Sequence, residues 1–198
     1  MDIFIQQVVN GLVLGCIYAL IALGYTMVYG ILGIINFAHG DVLMVGALTA
    51  LSAILGLQYL FPGMPQWLML VVATLIAMPV CAFLSYGIER VAYRPLRNAP
   101  RLAPLITAIG ISIILQTLAM IIWSRNPLIF PTLLPSSPID IFDTGAVITG
   151  KEIVIIVLSF VVMVGLLLLV NRTKLGRAMR ATAESPRIAS LMGVNPNF

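Results

Sequence analysis

Gly33-Ile34-Ile35-Asn36-Phe37-Ala38-His39-Gly40-Asp41 interrupts an apolar run that reaches from Ile3 to about Leu60. Outside this stretch the run holds no charged residue, and His39 is the chain's one histidine. Polar and ionisable groups at membrane depth cost roughly 2.5–3.5 kcal/mol each on insertion scales, so those that persist face protein or a water-filled path. Backbone that leaves a helix inside the bilayer is tolerated where other protein or a cavity satisfies it. With Gly33 and Gly40 as breakers, the stretch reads as a break in a discontinuous membrane segment. Asn36 and His39 are then placed to satisfy open backbone groups, and Asp41 opens the next half-helix, where the unpaired N–H groups favour a carboxylate. Asn36, Phe37, His39, Gly40 and Asp41 are the candidate residues of a substrate path or its gate. The alternative is a kink at the cytoplasmic surface that only shapes packing.

Ile3 to Ala38 is 36 residues without a charge. As one straight helix it would be about 54 Å long, against about 30 Å of hydrocarbon. The excess predicts a first span at about 4–23 and a broken second span at about 25–58, with its break at 36–41. Gly11, Gly15 and Ala19 form one small-residue stripe and Gly46, Ala50 and Ala53 another, which predicts close helix approach.

The rest of the chain fits this setting. Of 198 residues, 61% are hydrophobic and 9% charged, with mean hydropathy +1.09. Soluble domains carry about 25% charge, so this is an integral, polytopic membrane protein. The formal net charge of +4 sits in loops, as membrane topology requires, and is no nucleic-acid signal. Cys16 and Cys81 both lie in apolar runs and read as buried small hydrophobes. Val13-Leu14-Gly15-Cys16 looks like a lipoprotein cleavage box, but no Lys or Arg precedes the apolar run, as a signal peptide requires.

Tyr59 to Trp67 is a Pro/Gly loop with interfacial aromatic residues. A third span follows at about 67–88, with Pro79 placed to kink it, then a basic loop at 89–101 carrying Arg90, Arg94, Arg97 and Arg101. A fourth span at about 102–123 contains Thr107, Ser112 and Gln116. A polar, proline-rich connection from Ser124 to Lys151 leads to a fifth span at about 152–170. The fold class is therefore all-α, a polytopic transmembrane helix bundle of about five spans, one discontinuous.

The positive-inside rule places 89–101 and the basic tail in the cytoplasm and the 59–66 loop outside. The N-terminus is also outside if the broken segment crosses fully, and inside if 25–58 is re-entrant.

The tail, 171–198, carries Arg172, Lys174, Arg177, Arg180 and Arg187 against one acid, Glu184. Ser185-Pro186 reads as an N-cap followed by proline at the first helical position, and Gly193 as the glycine just past the helix end. That predicts a short helix over 186–192 exposing Ile188, Leu191 and Met192, after a helical stretch at about 174–184. Such a tail fits protein docking, or an amphipathic surface resting on anionic lipid.

Tyr18-Ala19-Leu20-Ile21-Ala22-Leu23-Gly24-Tyr25-Thr26-Met27-Val28-Tyr29-Gly30, followed by Ile35-Asn36-Phe37-Ala38-His39-Gly40-Asp41, resembles the inner-membrane permease of bacterial branched-chain amino-acid ABC transporters, of the Liv type. Ile88-Glu89-Arg90-Val91-Ala92-Tyr93-Arg94-Pro95-Leu96-Arg97 is similar to its basic loop. Gly176-Arg177-Ala178-Met179-Arg180-Ala181-Thr182-Ala183-Glu184, ending at Gly193, is similar to its ATPase-docking loop.

The resemblance covers essentially the whole chain. It implies a multi-pass subunit of the bacterial inner membrane that takes up leucine, isoleucine or valine. The implied partners are a second permease subunit, two ATP-binding-cassette ATPases, a periplasmic substrate-binding protein and the lipid bilayer. It also favours docking for the tail, through Gly176, Arg177, Arg180, Glu184, Arg187 and Gly193. Permeases of this type continue with further spans after the docking loop. The chain thus reads as an N-terminal portion, with a transmembrane bundle over 1–170 and a docking loop over 171–198.

No G-x-x-x-x-G-K-[ST] loop is present, so ATP is not bound here by that means. His39 and Asp41 are too few for a metal or nucleophile site. The chain reads as a non-enzyme with no cofactor. The competing classes are an ion-coupled secondary transporter or channel fragment, which also uses broken helices, and an assembly role for a shortened subunit. A cytoplasmic docking tail separates the importer from the secondary transporter.

Overall fold

A computed structural model describes residues 2–32, 36–96, 99–100, 102–133, 138–141 and 146–193. It is dominated by helices: α1 (Asp2–Leu32), α2 (His39–Leu60), α3 (Gln66–Ile88), α4 (Leu102–Ile122), α5 (Gly150–Arg172), α6 (Lys174–Glu184) and α7 (Pro186–Leu191). Five helical segments are long and apolar enough to cross a membrane. They form two compact units, one of residues 1–35 with 135–198 and one of residues 36–134.

The burial pattern runs opposite to that of a soluble domain. Among the described residues the buried apolar side chains are few, and half of them are alanines, such as Ala38, Ala73, Ala108 and Ala119. Phe83 (79% exposed), Ile121 (74%) and Phe160 (62%) point outward from long helices. Helices apolar all round are stable where the surroundings are lipid or other protein. The protein is therefore a multi-pass membrane protein.

In the first unit α1 is one continuous helix of 31 residues. It runs through the division expected near residue 24 as far as Leu32, and the next helix starts at His39. A lone glycine such as Gly24 costs a helix only about 1 kcal/mol relative to alanine. Thr26 is satisfied locally, its hydroxyl donating to the Leu23 carbonyl at 3.0 Å. The excess length need not break the helix, because tilt and protrusion absorb it. Gly11 and Gly15 have nothing within 4 Å of where a Cβ would stand, so that stripe meets no described helix.

The polar connection before α5 folds into a hairpin that the sequence pattern did not reveal. Strands β1 (Pro138–Ile141) and β2 (Ala146–Thr149) pair antiparallel, with Ile139 opposite Ile148. Gln6 of α1 pins this hairpin. Its Oε1 accepts the Val147 N–H at 2.7 Å and its Nε2 donates to the Val147 carbonyl at 3.1 Å. The Glu152 carboxylate then accepts the Thr149 N–H at 2.7 Å, starting α5. Since α1 also meets the last turns of α5, the two helices run in the same sense.

In the second unit α2 and α3 form an antiparallel pair. Gly46 permits their close approach, since a Cβ there would stand 2.7 Å from the Cys81 sulfur. Ile54, Ala73 and Leu133 make the local core, with Ala50 and Ala53 packed against it. The Trp123 indole N–H donates to Ser52 Oγ at 2.6 Å, so α4 runs parallel to α2. The helix of α3 does not end where the basic loop was expected. It continues as a π-helical turn (Glu89–Tyr93) and a 3-10 turn (Arg94–Leu96). Arg90 lies over the ring of Tyr86, a pair one helical turn apart that supports this extension. Arg97, Asn98 and Arg101 lie outside the described residues.

Candidate functional site

The opening stretch organises one end of α2. Gly33, Ile34 and Ile35 lie outside the described residues. Asn36 makes the turn: its Oδ1 accepts the Ala38 N–H at 3.0 Å, and its main-chain oxygen accepts the His39 N–H at 3.2 Å. This side-chain-to-backbone pattern is what asparagine supplies at helix starts. The same Oδ1 accepts the Tyr93 hydroxyl at 2.7 Å, tying the turn to the π-helical end of α3. Ala38 is fully buried, His39 is half-buried and begins α2, and Phe37 is exposed. Gly40 sits inside the first helical turn, and Gly193 is the described glycine at positive φ. Among the described residues the turn into α2 is made at Asn36-Phe37-Ala38, and Gly40 is already helical, which corrects the role expected of that glycine.

Asp41 is in the first turn of α2 and only 8% exposed. Its Oδ1 accepts Gln116 Nε2 of α4 at 3.0 Å, and that nitrogen lies 3.2 Å from Ser112 Oγ. The level of this turn follows from its neighbours. The Cys81 thiol donates to the Val42 carbonyl at 3.7 Å. Cys81 lies about 13 Å along α3 from Arg90, and Gln116 about 21 Å along α4 from Leu102, at 1.5 Å per residue. The polar first turn of α2 therefore packs beside Cys81 of α3 and Gln116 of α4, while Asn36 just before it reaches the basic end of α3 through Tyr93. A new helix beginning at His39 stands where an interruption within one helix was expected. The arrangement brings a carboxylate, an amide and a hydroxyl together between two apolar helices. Among the described residues no group of three His, Cys, Asp or Glu comes together to hold a metal.

Sequence reasoning missed Tyr93 and Gln116 as partners of this stretch. The available signal was the spacing of Ser112 and Gln116, one turn apart in an apolar helix, where polar side chains face protein.

The tail residues fall on two short helices. Thr173 caps α6 by accepting the Gly176 N–H at 3.1 Å. Gly176 is buried, and a Cβ there would clash with the carbonyl oxygens of Val170 and Leu169. It fits the corner between α5 and α6 and offers no side chain to a partner. Arg177, Arg180 and Glu184 are exposed on α6. Arg180 also lines a cavity of about 280 Å³ with Met27 and Gly30 of α1 and Leu166, Val170 and Asn171 of α5.

Ser185 caps α7, and Pro186 is in its first turn. Ile188, Leu191 and Met192 are 60%, 87% and 78% exposed, while Ala189 is buried. Gly193 follows at φ 84. The side chain of Arg187 lies outside the described part of the molecule.

Comparison with known proteins places the chain in a family. Residues 7–198 match the family model described as branched-chain amino acid transport system / permease component. The chain is 47% identical over 197 residues to the high-affinity branched-chain amino acid transport system permease protein BraD of Pseudomonas aeruginosa, covering 98% of this chain and 64% of that one. It is 41% identical over 195 residues to LivH of Salmonella typhimurium, covering 97% and 63%, and 40% identical over 195 residues to LivH of Escherichia coli, with the same coverage. The chain thus spans less than two thirds of the length of these relatives. No solved structure matches it.

Proposed function

The chain belongs to the family of branched-chain amino acid transport permease components, and we propose that it forms part of the membrane path of an ATP-binding-cassette importer for leucine, isoleucine and valine. It would act in the bacterial inner membrane with a second permease subunit, two ATPase subunits and a periplasmic substrate-binding protein. ATP hydrolysis belongs to the ATPases in this reading, and this chain is not an enzyme. The observation that carries it is the polar first turn of α2, seated among apolar helices with Asp41 held by Gln116. Asn36, Phe37, His39, Gly40 and Asp41 are the proposed path residues. A permease needs such a turn, because a polar solute crosses only where backbone and side-chain polarity reach membrane depth.

Topology supports the same reading. Positive-inside placement puts the Arg90–Arg94 end of α3 and the tail in the cytoplasm. In the first unit Gln6 and the hairpin lie at the opposite end of α1 and α5 from α6. That supports a start of α1 outside. The exposed apolar residues of α7, with Arg177, Arg180 and Glu184 on α6, form the proposed ATPase-docking surface. Gly176 and Gly193 hold its shape.

The test is uptake of labelled leucine by proteoliposomes holding the assembled transporter, with ATP inside and binding protein outside. Uptake that requires both supports the assignment. Uptake without ATP that follows an imposed ion gradient overturns it in favour of secondary transport.

A further inference from the structure

The proposed path requires the first turn of α2 to keep one position at depth, and two side chains outside that turn hold it from different elements. Gln116 of α4 donates to Asp41 Oδ1 at 3.0 Å, and Tyr93 donates to Asn36 Oδ1 at 2.7 Å. The two grips bracket Asn36-Phe37-Ala38-His39-Gly40-Asp41. Neither is explained by packing. Apolar side chains of similar volume would join these helices without burying the Asp41 carboxylate. Tyr93 ends the π-helical turn Glu89–Tyr93, a geometry uncommon in helices and frequent at functional sites. That turn belongs to the basic segment that continues α3.

Resting on the proposed path, we infer that Gln116 and Tyr93 are positioning residues of transport. Gln116 fixes the Asp41 carboxylate from α4. Tyr93 fixes the Asn36 turn from the π-helical end of α3, so that displacement of the basic end of α3 moves the start of α2. The clamp is released or tightened by hydrogen bonds that charge-preserving exchange can rebuild.

A native reporter lies beside it. The Cys81 sulfur contacts the Val42 carbonyl and the backbone space at Gly46, so its reactivity reads whether α2 stays seated. With Cys16→Ser as background, the assembled transporter is labelled with N-ethylmaleimide and leucine uptake is measured in parallel, at equal recovery of complex. Loss of one hydrogen bond to a charged group corresponds to about a tenfold effect. Gln116→Leu should lower maximal uptake by about tenfold with KM within about twofold, and raise Cys81 labelling by several-fold. Tyr93→Phe should change both readouts in the same directions, and Gln116→Met should behave as Gln116→Leu despite filling the space. Gln116→Glu sets two carboxylates together and should be the most damaging. Adding Asp41→Asn to Gln116→Glu restores one carboxylate and one amide and should return both readouts to within about threefold of the parent.

Parental uptake and labelling in Gln116→Leu overturns the inference, as does failure of Asp41→Asn to improve Gln116→Glu. The exchanged pair keeps the test open where a single variant does not assemble. Because labelling of Cys81 is independent of substrate, an intact labelling pattern without leucine uptake by the parent contradicts the importer assignment and leaves the clamp standing.

Discussion

Asn36 does more than its sequence neighbours suggest. One oxygen accepts both a backbone N–H and the Tyr93 hydroxyl, so it fixes the turn and its tertiary anchor together. Asn36→Ala leaves the turn without either bond and should cost about 1–3 kcal/mol, read as a lower melting temperature of the purified complex. At the other end of the chain, glycine is required for two different reasons. Gly193 has φ 84, and Gly193→Val should cost about 1 kcal/mol or more at the end of α7. Gly176 has an ordinary helical backbone but no room for a Cβ beside Val170 and Leu169. Gly176→Ala should therefore cost about 1–3 kcal/mol of overpacking and displace α6. Its mark is weaker co-purification of the ATPase, whereas Glu184→Lys should weaken co-purification at unchanged melting temperature. Unchanged ATPase recovery in both variants would remove the docking assignment.

At the scale of the element, α2 and α3 are fitted through Gly46 and Cys81. Gly46→Ala pushes a methyl against the sulfur at 2.7 Å and should destabilise the second unit. Cys81→Ala in the same chain should relieve most of that loss, as a non-additive pair in melting experiments. The capped tail was legible in the sequence because capping is local: Ser185, Pro186 and Gly193 act within a few residues of one another. The membrane helices were legible from uninterrupted apolar runs. The hairpin was not, because its strands are four residues each and Gln6, which anchors it, lies 141 residues away from Val147. The division of α1 failed because hydrocarbon thickness limits what is buried in lipid and not how long a helix grows. Asp41 was singled out as an unusual group from the sequence, but its partner on α4 required the fold.

For the whole molecule, orientation and path are the two claims. With both native cysteines replaced by serine, Ile3→Cys and Ile139→Cys should react with an impermeant thiol reagent from the periplasmic side, and Asn171→Cys from the cytoplasmic side. Reaction of Ile3→Cys and Asn171→Cys from one side would reverse α1.

The path is tested most directly at Gly40, which is exposed in the first turn of α2 beside buried Asp41. In the assembled transporter, Gly40→Cys in the same cysteine-free background is treated with a charged, water-soluble thiol reagent, with and without leucine, binding protein and ATP. If the first turn of α2 lines the path, Gly40→Cys reacts and turnover with leucine changes its rate by several-fold. If it is inert to the reagent from both sides while Asn171→Cys reacts, or if its rate ignores leucine, binding protein and ATP alike, the path does not run past this turn.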